Sequence, residues 1–401
     1  MQTETMTIVK STVPVIQASG EAITTHFYGL LFAENPELQH VFNMASQASG
    51  RQQSTLAAAI LGYAANIDNL GALGGTVEKI ATKHFSLDIT PAQYEIVGRN
   101  LLKAIRDVLG ADVATDNVLN AWAEAYQQLA DILIGREQQL YADAEVEGWA
   151  GFKAFNVSRI VEESEDIRSI YLTPVDGKPL PSYRAGQFLS IKIANPEWEH
   201  EEIRQYSLSD CHSPDGYRIS VKREPAPSAE IPEGRVSNYL HTQLEVGSRL
   251  AIHVPGGDLF LKENSRPVVL ISGGVGITPM LSMLNEMLAN KDTRPVVWLH
   301  GTRNRNTHAF AQHMAKVKRN FPELTILTFY DDISGAQEGI DYDSQGYITS
   351  DWLERCCPAD AEYYFCGPLP FMKAIYRQLK ALHIEDARLH YEVFGPGESL
   401  N

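Results

Sequence analysis

Cysteine is scarce in this chain. Its 401 residues include four, Cys211, Cys356, Cys357 and Cys366, with no C-x-x-C spacing. That speaks against a structural zinc site or a thioredoxin-type pair, and so few thiols fit a reducing, cytoplasmic setting. Long apolar runs are missing too, so no segment is expected to span a bilayer. The opening MQTETMTIVK has no basic or apolar leader character, and no signal peptide is expected. Basic charge is in deficit: the net charge of −16 argues against nucleic acid or an anionic membrane as a main partner. An acidic chain can still hold nucleotide cofactors, because local backbone N–H groups do that work.

Proline is sparse at the start. Only Pro14, Pro36 and Pro91 fall in the first 150 residues, each near an expected helix start or turn. In ITPAQYEIVGRNLLKAI, Thr90 and Gln93 make a Thr-x-x-Gln capping box with Pro91 at the first helical position. Ile96, Leu101, Leu102 and Ile105 then lay an apolar stripe along the helix. After Gly151 the pattern turns to short β runs: FKAFNVSRIVEES, SIYLTPV, QFLSIKI, RQYSLS and YRISVKRE. From about Arg266, apolar strands PVVLISGG, RPVVWLHG, LTILTFY and AEYYFCGP alternate with helical PMLSMLNEMLAN and LPFMKAIYRQLKALH. The length suits about two to four domains. The expectation is an all-α domain over 1–147, an antiparallel β-barrel over 148–263 and an α/β parallel-sheet domain over 264–401.

LISGGVGITP follows a strand and opens a helix, as a pyrophosphate-binding turn does. A dinucleotide fingerprint would have a third glycine where Pro279 stands. Taken with RQYSLS, GRVSNYLH and YYFCGP, in that order, the segment from about Phe152 onward resembles the ferredoxin–NADP reductase superfamily. The resemblance implies an FAD site at Gln187, Phe188, Arg204, Gln205, Tyr206, Ser207, Gly234 and Ser237. It implies pyridine-nucleotide contacts at Gly273, Gly274, Val275, Gly276, Ile277 and Thr278, with Cys366, Gly367 and Pro368 approaching the nicotinamide. The terminal Glu392, Val393, Phe394, Gly395 and Pro396 would lie by the flavin, Phe394 stacking on it and Glu392 tuning its potential. Without the ordered set, a packed strand Tyr206 and an inert buried Cys366 would be the plainer readings. Where a carboxylate after the second strand would favour NADH, the chain has Arg303 and Arg305, and Arg303 is a candidate for the 2′-phosphate of NADPH.

In VEKIATKHFSLDITP, Val77, Ile80, Ala81, His84 and Phe85 share one helix face. A histidine on an apolar face is, by itself, most often a satisfied core residue. The helical region nonetheless resembles a globin through VPVIQASGEAITTHFYGLLFAENPELQHVFNM, KHFSLDITPAQY and AWAEAYQQLADILIGREQQLY. Globin, FAD module and NAD(P) module in this order resemble the flavohaemoglobins, the nitric oxide dioxygenases, over essentially the whole chain. The resemblance makes His84 the proximal haem ligand. It places Phe42 against the haem, Tyr28, Gln52 and Leu56 on the distal side, and Tyr94, Glu137 and Lys83 in a proximal network. The polar SGRQQST leaves open whether Gln52 or Gln53 faces inward, and Glu137 could instead form a surface pair with Arg136 or another neighbour.

This second resemblance implies an oxidoreductase with haem b, FAD and NAD(P)H as cofactors and O2 and NO as small-molecule partners. FAD would convert the electron pair of a hydride into the single electrons that iron accepts. NO would be oxidised to nitrate. The other readings are a reductase of hydroperoxides or ferric iron and an O2 or NO sensor. A cytoplasmic monomer with no stable membrane association is expected.

Overall fold

The computed structural model describes residues 1–226, 228, 232–395 and 400. The chain forms two compact units. One comprises Met1–Phe152 with Lys192–Arg204, the other Lys153–Ile191 with Gln205–Phe394.

The first unit is built on α1 (Thr3–Ser11), α2 (Val13–Glu34), α3 (Met44–Ala48), α4 (Arg51–Ala65), α5 (Gly74–Phe85), α6 (Pro91–Leu109) and α7 (Asp116–Glu147). Each proline in this stretch opens a helical segment: Pro14 in α2, Pro36 in the 3-10 turn Pro36–His40, and Pro91 in α6. At α6 the Gln93 side-chain oxygen accepts from the Thr90 backbone N–H at 2.8 Å, one half of the expected capping box. Helix α2 packs on α4 and α6, and α7 packs on α1, α5 and α6. Ile23, Phe27, Leu31, Ile105 and Trp122 fill the main core, each contributing roughly 1.5–3 kcal/mol by leaving water. A smaller cluster of Ala81, Tyr94, Ala130 and Leu133 joins α5, α6 and α7.

The chain continues as β1 (Phe152–Glu162), β2 (Ile167–Pro174), β3 (Phe188–Ile193), β4 (Glu202–Ser207), β5 (Tyr217–Lys222), α8 (Arg235–Thr242) and β6 (Arg249–His253). These strands make one six-stranded sheet in the order β4-β3-β6-β1-β2-β5, with β1–β2 and β2–β5 antiparallel.

The rest is β7 (Val268–Gly273), α9 (Ile277–Ala289), β8 (Val296–Thr302), α10 (Ala311–Asn320), β9 (Thr325–Tyr330), β10 (Ser344–Gln345), α11 (Ser350–Cys356), β11 (Glu362–Cys366), α12 (Leu369–Ala381) and β12 (Leu389–Tyr391). This second sheet is parallel, in the order β10-β9-β8-β7-β11-β12. Strand residues alternate between its two faces. Val268, Leu270, Trp298 and Tyr364 pack with α9, while Val269, Ile271, Leu299 and Phe365 pack with α12 residues Met372, Ile375 and Leu379. The strand order reverses beside β7, and the carboxyl ends of β7 and β11 flank the switch point at which open parallel sheets form a ligand crevice. Among the described residues, no helix is long and apolar enough to cross a membrane.

Candidate functional site

His84 lies in the last turn of α5, half-buried, where the chain bends into α6. Its Nδ1 is 2.7 Å from the Tyr94 hydroxyl and 3.0 Å from Glu137 Oε1. Tyr94 donates its own hydroxyl to the same carboxylate oxygen at 2.5 Å. The capping box fixes where α6 begins and so carries Tyr94, in its first turn, to the imidazole. Glu137 comes from α7 and is 3% exposed, so its partners rather than water satisfy it. Burial first, and the Glu137 carboxylate second, push the Tyr94 pKa up, which keeps the hydroxyl protonated as a donor. Both Nδ1 contacts lie on one edge of the ring, and Nε2 makes no hydrogen bond with any described residue.

The competing surface role falls to the adjacent residue. Arg136 turns outward and pairs with Glu78 through Nε at 2.7 Å and a second nitrogen at 2.8 Å. Lys83 is exposed beside His84.

Tyr28 stands on α2 in an aromatic nest, its ring 4.8 Å from Phe27 and 5.8 Å from both Phe32 and Phe42. Leu56 packs on the same core. Burial raises the Tyr28 pKa, and the amides of Gln47 and Gln52, facing its hydroxyl, offset part of that rise. Gln52 therefore borders Tyr28. Gln53 is spent elsewhere: its Nε2 donates to the Gln47 backbone oxygen at 3.2 Å and to Gln47 Oε1 at 3.0 Å. Gln52 Oε1 and Gln47 Nε2 are buried with no hydrogen-bond partner. Gln47 escapes sequence reasoning, because it sits in a five-residue helix with no periodic signal.

In the strand-rich region the expected FAD residues divide. Arg204–Ser207 run along β4, where Arg204 donates to the Ile203 carbonyl and pairs with Glu202, each at 2.8 Å. Ser207 Oγ is buried without a partner. Gln187 accepts from the Arg184 N–H at 2.8 Å, and Phe188 is 7% exposed, its ring close against Gly257. Both thus have structural work as well. Gly234 precedes α8, where the Ser237 hydroxyl donates to the Gly234 carbonyl at 3.0 Å and accepts from the Glu224 N–H at 3.2 Å.

The turn from β7 into α9 lies at the sheet's crevice. A Cβ on Gly276 would fall 2.1 Å from the Cys366 carbonyl oxygen, so this turn and the end of β11 touch backbone to backbone. Gly274 adopts φ +51° with open space beside it. Thr278 donates to the Val275 carbonyl at 3.0 Å, and Ile277 is fully buried in the core. Phe371, unmarked in sequence, lays its ring over Gly273 and Gly367. The Cys366 thiol is fully buried, which raises its pKa, and donates to the Glu392 carbonyl at 3.5 Å. Pro368 caps α12. Arg303 is exposed beyond β8 and holds the Asp331 carboxyl partly down against burial. Val393 is half-buried, Phe394 is 45% exposed and Gly395 is exposed, while Pro396 lies outside the described residues.

Two family models match the chain: the globins over residues 25–133 and the oxidoreductase NAD-binding domain over residues 270–377. A flavohemoprotein of Deinococcus radiodurans is 46% identical, covering 99% of this chain and 98% of its own. One from a Burkholderia species is 44% identical with 100% of each chain covered. Among solved structures, a flavohemoglobin from Malassezia yamatoensis with bound FAD and heme superposes with a TM-score of 0.86 at 27% identity, covering 98% of this chain and 99% of that one. The FAD/NAD binding domain of a nitric oxide dioxygenase from Vibrio cholerae is 36% identical with a TM-score of 0.55, over 61% of this chain and 99% of its own. A half-buried histidine held by a buried Tyr–Glu pair among globin helices, and a glycine turn at the switch point of a parallel sheet, on a chain matched end to end by such relatives, leave one conclusion: the chain belongs to the flavohaemoproteins.

Proposed function

We propose that this chain is an NAD(P)H-dependent nitric oxide dioxygenase that holds haem b and FAD and oxidises NO to nitrate with O2. The observation that carries the reading is the His84–Tyr94–Glu137 triad on a chain that also carries a nucleotide crevice. It divides into a haem module over 1–147, an FAD module over 148–263 and an NAD(P) module over 264–401. The scarcity of cysteine supports a reducing compartment, the cytoplasm.

The residues present fit the groups. His84 would hold the iron through Nε2, since Nδ1 is engaged with Tyr94 and Glu137. Orphaned amide atoms of Gln52 and Gln47 line the Tyr28 side, where a polar ligand would meet them. The orphaned Ser207 hydroxyl on β4 suits a flavin heteroatom, with Arg204, Gln205 and Tyr206 as its neighbours in the strand. The open space beside Gly274, at the mouth of α9, is where a pyrophosphate would meet the N-terminal end of that helix. When bound, the flavin and haem supply the passage from a hydride's electron pair to single-electron reduction of O2 at iron.

The chain's own contribution is positioning and charge. Glu137 accepts the His84 Nδ1–H, fixes the tautomer and makes the imidazole a stronger donor. Tyr94 anchors that carboxylate, so the buried charge is doubly hydrogen-bonded. Tyr28 and Gln52 offer hydrogen bonds to a bound diatomic ligand, and Leu56 and Phe42 exclude water. Arg303, exposed after β8, would receive the 2′-phosphate of NADPH.

The test is NO consumption by the loaded full-length protein, with nitrate as product. Loss of NO should require both O2 and NAD(P)H. Consumption that persists without either one overturns the dioxygenase reading in favour of a different reductase or a sensor.

A further inference from the structure

The contacts around α3 form a closed chain that ends on an unused donor. Thr24, one helical turn before Tyr28 on α2, donates to the Gln53 backbone oxygen at 3.0 Å. That bond pins the start of α4 to α2. The Gln53 amide then reaches back to α3. Its nitrogen is identified by the backbone oxygen of Gln47, which can only accept, at 3.2 Å. The same nitrogen donates to the Gln47 side chain at 3.0 Å, so the atom facing it is Oε1. Gln47 Nε2 must therefore point the other way, toward the Tyr28 hydroxyl.

There the amide stops short. Gln47 is 8% exposed, and its Nε2 is buried with no partner in hydrogen-bond geometry. Asn43 holds α3 from the front, accepting from Ala45 N–H at 3.1 Å and Ser46 N–H at 3.2 Å. The donor is thus fixed from two sides and faces the Tyr28 hydroxyl. Buried amide nitrogens are rarely left unpaired without a reason.

We propose that Gln47 is a positioning residue of the distal pocket: its Nε2 donates to the Tyr28 hydroxyl oxygen when a diatomic ligand is bound, and so turns the Tyr28 proton toward that ligand. This rests on the reading that the helical unit carries haem. A hydroxyl that accepts one hydrogen bond is polarised and becomes a better donor in the next. Gln53 acts one step further back, by fixing which end of the Gln47 amide faces Tyr28.

The experiment uses the full-length, haem-loaded protein with Gln47→Met, which keeps length and removes the donor. Two readouts are taken: O2 dissociation by stopped flow, and the stretching frequency of bound CO. Gln47→Met should speed O2 loss by about tenfold, the scale of one hydrogen bond, and raise the CO frequency. In a Tyr28→Phe background the same substitution should change neither, because the hydroxyl it acts on is gone. If Gln47→Met fails to retain haem, Gln47→Asn, which draws the amide back, should give the same two shifts. Unchanged O2 loss and CO frequency, or equal shifts with and without the Tyr28 hydroxyl, overturn the proposal while leaving the haem reading intact. A wild-type protein with no haem Soret band overturns the haem reading itself.

Discussion

The shortest route from sequence to chemistry runs through a contact 53 positions long in sequence separation, between His84 and Glu137. A carboxylate that accepts the ring N–H gives the imidazole anionic character. Glu137→Gln keeps the shape and an acceptor oxygen but removes the charge. The expected result is a retained Soret band with a lower iron–histidine stretching frequency in the ferrous protein. A frequency equal to the wild type would mean that the carboxylate charge does not reach the imidazole. Sequence leaves this residue undecided for a simple reason. Adjacent helix positions point about 100° apart, and nothing local says whether Arg136 or Glu137 faces inward. The structure sends Arg136 out to Glu78 and Glu137 in to Tyr94. The same ambiguity covers Gln52 and Gln53, and there both turn inward, toward different partners. His84 itself is visible in the sequence as a histidine on an apolar face, but its partners come from two other helices.

Elements with strong local signals are legible, and short or polar ones are not. Helix α6 announces itself through its cap, its proline and its apolar stripe. Strands β7, β8, β9 and β11 are apolar because the parallel sheet is covered on both faces. Strand β12 has three residues and β10 two, too few for any period, and α10 is a mostly polar surface helix. The turn from β7 to α9 shows what the glycines in LISGGVGITP do separately. At Gly276 an added methyl would meet backbone of Cys366 at 2.1 Å and of Gly367 at 2.6 Å, neither of which can swing aside. Gly276→Ala should cost about 3 kcal/mol or more in stability of its unit and raise the KM for NAD(P)H by displacing the end of β11. Gly274→Ala has open space and meets only the left-handed backbone penalty at φ +51°, roughly 1–2 kcal/mol. Thermal melting followed in the two variants distinguishes the cases. Equal losses would show that the close approach at Gly276 is not what that glycine serves.

At the scale of the whole molecule, the chain forms two compact units, and the proposed function divides two tasks between them. In the proposed division, oxidation of NAD(P)H belongs to residues of the second unit, at the Gly273–Thr278 turn and Cys366. Ligand chemistry belongs to the first, at His84 and Tyr28. Removing one histidine should therefore split the activity. In His84→Ala, the absorption of a histidine-ligated haem and the consumption of NO are expected to disappear. Oxidation of NAD(P)H by an artificial one-electron acceptor should continue at the wild-type rate, since no atom of His84 is needed for hydride transfer. Gly276→Ala makes the complementary lesion: it should slow both activities, because electrons for the haem arise downstream of the nucleotide turn. The pair of variants thus orders the two tasks along one path. If His84→Ala slowed the artificial acceptor as much as NO consumption, the tasks would not be separable. If Gly276→Ala slowed the acceptor reaction but spared NO consumption, electrons would be reaching the haem by a route other than the crevice between β7 and β11.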